Sequence, residues 1–310
     1  MAAAFLANHG KPTTVEAARI AAAQESAVDV TDAVNPLFVV LLRGWAAVNG
    51  DLVWIRFLSV FTGLLSLVAA QAVMRGLGGA HATPGAMTLL AASPYFVGVA
   101  GTVSSAPLVL AAAMSCFAAF LEFTKTGKSS WLAVWLLTAV LCLTTHGGLV
   151  LVLLVQNVAL LFYGRRLQHH QRLWWSLQLP VGAFFVVLHS HQLAPLGTYG
   201  WSLSWSSLPS LASPDGLVLA LFAVLCASGS WCCRDWRRDP RHGLLCATTT
   251  LPLLVWLFFP REVVLLLSLP PLLVLASMGI RLYRSWIRQL LWSGLVVVYG
   301  AAYWRLFAGG

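Results

Sequence analysis

Few side chains in this 310-residue chain have the type and spacing that chemistry requires. Six cysteines, Cys116, Cys142, Cys226, Cys232, Cys233 and Cys246, fall mostly inside apolar runs, where a thiol packs as a small hydrophobe. No CxxC pair occurs, so neither a zinc site nor a dithiol redox centre is expected. Cys232-Cys233 stands beside arginines and could accept a palmitoyl group, but two boundary cysteines are the simpler reading. His146, His169-His170, His189 and His191 lack the two-ligand spacing of a metal or haem site, so no metal is expected. The stretch "SPYFVGVAGTVSSAPLVLAAAMSCF", 93–117, reads as two apolar helices meeting at a polar bend. That bend, Gly101-Thr102-Val103-Ser104-Ser105, carries glycine and hydroxyls and no charge. Arg43 and Glu122 read as a snorkelling arginine and a boundary charge.

The elements that would position these groups are membrane helices. The chain is 59% hydrophobic and 9% charged, where a soluble domain carries about 25% charged residues. Apolar runs long enough to cross a bilayer recur to the C-terminus. They give about ten spans, near 52–74, 84–101, 106–123, 130–145, 147–163, 173–191, 216–233, 243–259, 262–280 and 288–307. The fold class is therefore an all-α polytopic integral membrane protein. No soluble domain or repeat interrupts it. The net charge of +9 sits in short loops without a nucleic-acid motif, so no nucleic-acid partner is expected; membrane lipids are.

Thirteen of the nineteen basic residues fall on alternate loops: Arg75; Lys125 and Lys128; Arg165, Arg166 and Arg172; Arg234, Arg237, Arg238 and Arg241; Arg281, Arg284 and Arg288. Excess Lys and Arg mark the cytoplasmic side. The bend at 102–105, His146, the Trp- and Ser-rich loop 192–215 and Pro260-Arg261-Glu262 are then expected to face periplasm or lumen. Residues 1–51 form an exterior, weakly acidic juxtamembrane segment, and 52–310 the transmembrane domain. "NPLFVVLLRGWAAVNG", 35–50, is too short to span easily and contains Arg43, so it is expected to lie in the outer interface. An exterior N-terminus needs an export device that 1–34 lacks. Either a helix precedes this sequence, or the first apolar run spans after all.

"NPLFVVLLRGWAAVNGDLVWIRFLSVFTGLLSLVAAQAVMRGLGG", "LAASPYF", "LCLTTHGGLVLVL" and "FFPREVVLLLSLPPLLVLASMG" follow one another in that order. Their order and spacing resemble the GT-C type membrane glycosyltransferases, which include dolichyl-phosphate-mannose protein mannosyltransferases and lipid A aminoarabinose transferases. The resemblance runs from about residue 12 to 280 and implies a GT-C-like helix bundle with exterior interfacial helices. It implies a polyprenyl-phosphate sugar as donor, an exterior acid as general base and basic groups at the outer face for the lipid phosphate. Carried over residue by residue, "TTVEAARIAAAQ" takes the place of the acidic motif. Val15 stands where the catalytic Asp would align, and Glu16 matches the Glu that follows it. Arg56 matches the arginine at the start of the first span. His146 and Arg261 stand at the outer face, with Glu262 in place of an aromatic. The family's Glu and Arg at the bend are replaced by Ser104, Ser105 or their neighbours.

Each candidate has a plainer role. Glu16 could be an ordinary exposed charge, Arg56 a partner of Asp51, His146 a helix cap and Arg261 an interfacial arginine paired with Glu262. Two functions therefore stay open. One is a glycosyltransferase acting at the outer face, with Glu16 as base and Arg56, His146 and Arg261 binding substrate. The other is a catalytically inactive relative retained as an accessory subunit among other membrane proteins.

Overall fold

The computed structural model describes residues 35–49, 51–101, 103–146, 149–163, 168–193, 223–227, 229, 244–250 and 262–308. Within them every regular element is helical: α1 Pro36–Val48, α2 Leu52–Ala91, α3 Pro94–Gly101, α4 Ala106–Thr126, α5 Ser129–Thr145, α6 Val150–Tyr163, α7 Gln168–Leu193, α8 Glu262–Arg281 and α9 Ser285–Ala308. Two stretches, Val53–Ala91 and Ala106–Thr126, are long and apolar enough to cross a membrane.

The first of these stretches folds back on itself. Gly79 has φ 71° and ψ 175°, a backbone region open essentially to glycine alone. A β-carbon at Gly63 would lie 3.2 Å from that of Ala100. In a straight helix those residues would be roughly 55 Å apart, so the chain reverses at Gly79. Thr83 Oγ1 donates to the Gly79 carbonyl at 2.7 Å and secures the start of the returning arm. The sequence reading of two spans, 52–74 and 84–101, thus differs from the structure in the connection. Residues 75–83, which lie between those spans and contain Arg75, were expected to form a loop. They stay helical apart from one glycine, and the returning arm is interrupted instead at Ala92-Ser93 before Pro94.

α4 is the central helix and is buried along most of its length. It packs on α2, α5, α6 and α8. Gly76 lets α4 approach α2 closely, since a β-carbon there would stand 2.8 Å from Leu121 Cδ1. Such small residues permit the tight helix contacts on which membrane bundles depend. Gly127, left-handed at φ 64°, closes α4 and turns the chain directly into α5. α5 therefore returns toward the end where α4 began.

The core of the bundle carries an amide and indole cluster. Trp135 on α5 donates from Nε1 to Gln156 Oε1 on α6 at 2.7 Å. Gln156 Nε2 reaches Cys116 Sγ on α4 at 3.5 Å. Trp174 on α7 donates to Asn157 Oδ1 at 2.9 Å, and Asn157 Nδ2 donates to Gln178 Oε1 at 3.2 Å. The Trp174 ring lies 4.3 Å from that of Trp135 and is flanked by Phe120 and Phe123. Four helices are joined through neutral polar groups, as an apolar interior requires.

Candidate functional site

The polar bend closes one end of the bundle. Ser104 N–H donates to Ser59 Oγ at 3.2 Å, and Ser59 Oγ lies 3.3 Å from the Ser104 carbonyl, to which it donates. Ser104 Oγ accepts from Ala106 N–H at 3.2 Å and satisfies a donor at the start of α4. Asn35 Nδ2 donates to Ser105 Oγ at 2.7 Å in a buried contact. Of the hydroxyls that stand where the resemblance implies charges, that of Ser104 caps α4 and that of Ser105 holds Asn35 before α1, while the Ser104 backbone is tied to Ser59 of α2.

α1 starts with Pro36 at its first position, where the missing N–H costs nothing. Its 13 residues span about 20 Å, short of the ~30 Å hydrocarbon core. It packs on α2 and α5. Phe38 joins Leu58 and Leu108 in a small apolar cluster that also takes in Leu42 and Trp45. Two indoles hold the α1–α2 connection. Trp45 and Trp54 stack at 4.9 Å, and each donates its Nε1–H to the other's carbonyl, at 2.8 and 3.1 Å. Phe57 extends the stack at 6.2 Å from Trp54.

Two of the four candidate residues fall within the described chain, and both lie at this end. Arg56 is exposed in the first turn of α2, one turn before Ser59. Its expected pairing with Asp51 does not form. Asp51 accepts from Val53 N–H at 3.2 Å and caps α2, and the ion pair found among the described residues is Lys125–Glu122, at 2.5 Å. His146 is buried, 7% exposed, at the C-cap of α5, and its N–H reaches the Cys142 carbonyl at 3.2 Å. It reaches the bend end because α5 runs antiparallel to α4. Glu16 and Arg261 lie outside the described residues, as do the loop 192–215 and the spans read near 216–233 and 243–259 over most of their length.

Sequence reasoning missed Asn35, Ser59, Trp45 and Trp54, which shape this end. It also passed over Gln156, Asn157 and Gln178, although amides inside apolar runs are a readable signal. Deeper in the bundle Val73, Leu77, Met114, Phe117, Val155 and Thr248, among others, line a small apolar cleft. Thr248 supplies its one hydroxyl, which donates to the Leu245 carbonyl at 2.9 Å, so the cleft presents an apolar surface. No group of three potential metal ligands occurs among the described residues.

No family model and no curated protein matches the chain. Solved structures do, among them two crystal structures: ArnT from Cupriavidus metallidurans bound to undecaprenyl phosphate, with TM-score 0.58 and 16% identity, and the same protein in the apo state, with 0.57 and 17%. Each alignment covers 89% of this chain and 55% of ArnT, so the chain spans about half the length of the proteins it resembles. At that identity the likeness is one of architecture, and it agrees with the resemblance read from the motifs: the chain shares the helical fold of ArnT.

Proposed function

We propose that the chain transfers a sugar from a polyprenyl-phosphate donor to an acceptor at the bend end of the bundle. The observation that carries this reading is the shared architecture with ArnT, crystallised with undecaprenyl phosphate. One feature of the described residues supports it: Arg56 is exposed at that end with no carboxylate partner among them. Glu262, the first residue of α8, lies about 30 Å from Arg281 along the helix axis. It therefore heads toward the same end, and Arg261 precedes it in sequence.

In the reaction, Glu16 takes the proton of the acceptor as the acceptor attacks the anomeric carbon. The bond from that carbon to the donor phosphate breaks, and the lipid phosphate leaves as an anion. Arg56 and Arg261 hold the phosphate through charge-assisted hydrogen bonds, which strengthen as its charge develops. His146 hydrogen-bonds the sugar. The bend end faces periplasm or lumen, and α1 lies in that interface. The arginine-rich loops face the cytoplasm.

A second reading, an inactive accessory subunit, is favoured by the bend itself. Its Ser104 hydroxyl is taken by the Ala106 N–H and its Ser105 hydroxyl by the Asn35 amide, and Asp51 caps a helix. Assay of the purified chain with a radiolabelled polyprenyl-phosphate sugar separates the two. The transferase reading expects sugar transfer that falls about a hundredfold in Glu16→Gln. It also expects weaker undecaprenyl phosphate binding in Arg56→Gln and Arg261→Lys, because lysine lacks the bidentate fork. Neither transfer nor lipid-phosphate binding by the unaltered chain, with stable co-purification of other membrane subunits, rejects it in favour of the accessory role.

A further inference from the structure

Among the described residues, the opposite end of the bundle carries several cations and a single acid. Gly76 abuts Leu121, which brings Arg75 beside the last turn of α4 and its Lys125. Gly85 abuts Ser277 and Trp292, which brings the α2 reversal beside the α8–α9 connection. Arg75, Lys128, Arg281, Arg284 and Arg288 are all exposed there. The one carboxylate among the described residues at this end, Glu122, is taken by Lys125. Beyond Glu262 the sequence contains no Asp or Glu at all.

The start of α9 concentrates the imbalance. Arg284 and Arg288 lie one turn apart, linked by the Arg288 N–H to Arg284 carbonyl bond at 2.9 Å. Like charges at that spacing repel. The first turn of α9 contains no acid, and a helix N-terminus disfavours added positive charge. Trp286 and Leu290, 59% and 62% exposed, occupy the other flank of the same two turns. A cationic flank beside an exposed indole and leucine matches the boundary between headgroups and acyl chains, where tryptophan settles.

We propose that this end is a docking surface for acidic phospholipid headgroups, with Arg281, Arg284 and Arg288 as its centre. Lipid phosphates supply negative charge to Arg281, Arg284 and Arg288, for which the described residues at this end offer only Glu122, while Trp286 and Leu290 rest against the acyl boundary. The proposal holds whether or not the opposite end transfers sugar.

The test is electron spin resonance on the full chain in phosphatidylcholine bilayers, comparing association of spin-labelled phosphatidylglycerol with spin-labelled phosphatidylcholine. A basic residue near an acidic surface contributes about a fivefold preference. Preference for phosphatidylglycerol of at least several-fold is expected at low salt, collapsing in about 1 M salt, where the screening length is about 3 Å. The variant carrying Arg281→Gln, Arg284→Gln and Arg288→Gln should lose most of that preference. Arg43→Gln, an exposed arginine on α1 at the other end, should keep it. Equal association of both lipids with the unaltered chain overturns the proposal. So does full preference in the triple variant, or equal loss in Arg43→Gln. If the triple variant loses helicity by circular dichroism, Arg284→Gln alone decides, and an unchanged preference there overturns the proposal too.

Discussion

Two regions of this bundle rely on neutral polar side chains, and they are fastened in different ways. In the core, Trp135, Gln156, Asn157, Trp174 and Gln178 bond side chain to side chain across α5, α6 and α7, with Cys116 adding α4. At the bend, Ser59 and Ser104 bond mainly to backbone, and a single side-chain pair, Asn35–Ser105, ties α1 to the head of α4. The core cluster is surrounded by rings, and its Trp135 and Trp174 are almost fully buried. The bend adjoins exposed Arg56 and a helix only 13 residues long. Loss of a core bond should therefore be felt by the whole bundle. Loss of the Asn35–Ser105 bond should be felt by α1 alone, because local opening follows local contact density. That division suits a molecule whose chemistry is proposed at the bend: one region holds the frame, and the other can yield.

Trp135→Ala should expose the difference most strongly. Its ring is fully buried, packs on Trp174 at 4.3 Å and carries the bond to Gln156. Truncating a buried tryptophan costs about 3–5 kcal/mol. Trp45→Ala, in the half-buried clasp, should cost clearly less in the same denaturant titration of the purified chain. Equal losses would mean that α1 belongs to the cooperative core, and the division would fail.

Gln156→Leu comes next. It leaves the Trp135 indole N–H and the Cys116 thiol without their amide partner while keeping side-chain volume. Interhelical hydrogen bonds in membrane proteins average about 0.6 kcal/mol and reach about 1.7. The bifurcated position of Gln156 argues for the upper part of that range. A double-mutant cycle with Trp135→Phe isolates the pair. A coupling indistinguishable from zero would reduce the core cluster to ring packing.

The two regions were unequally legible in the sequence. The bend at 101–105 was readable because glycine and serines interrupt two apolar runs, and the bounds of α4 and α5 followed from hydropathy. The reversal at Gly79 was blurred. The Gly78-Gly79 pair signals a break, but one residue in a glycine-only conformation suffices, and the flanking residues remain helical. The core amides were visible as letters, yet their partners lie 21 and 40 residues away, Trp135 and Cys116 for Gln156. No local periodicity encodes such pairs. Arg56 was legible as a residue and misleading as a pair, because Asp51 has a better use one turn earlier as a cap. His146 could be placed at the correct end by counting helices. Its burial is visible only in the tertiary structure.

Asn35→Ala should have the smallest effect, and it tests the division most sharply. Asn35 is 4% exposed and donates to Ser105 across 70 residues of sequence. A buried hydrogen bond of this kind contributes about 1 kcal/mol net. Removing it does not release α1 completely, because the reciprocal indole bonds of Trp45 and Trp54 and the Phe38, Leu58 and Leu108 contacts remain. The change should therefore appear as fraying at the N-terminal end of α1, with the Trp45 end still held. Hydrogen exchange read by mass spectrometry should show amides of the first turns of α1 exchanging about fivefold faster, as 1 kcal/mol implies. The amides of α4 and α6 should be unchanged, and the denaturant midpoint should shift less than in Gln156→Leu. Faster exchange spread evenly through α4 and α6 would show that the bend bond is part of the frame, and the proposed site would then sit on rigid ground instead of on an element able to yield.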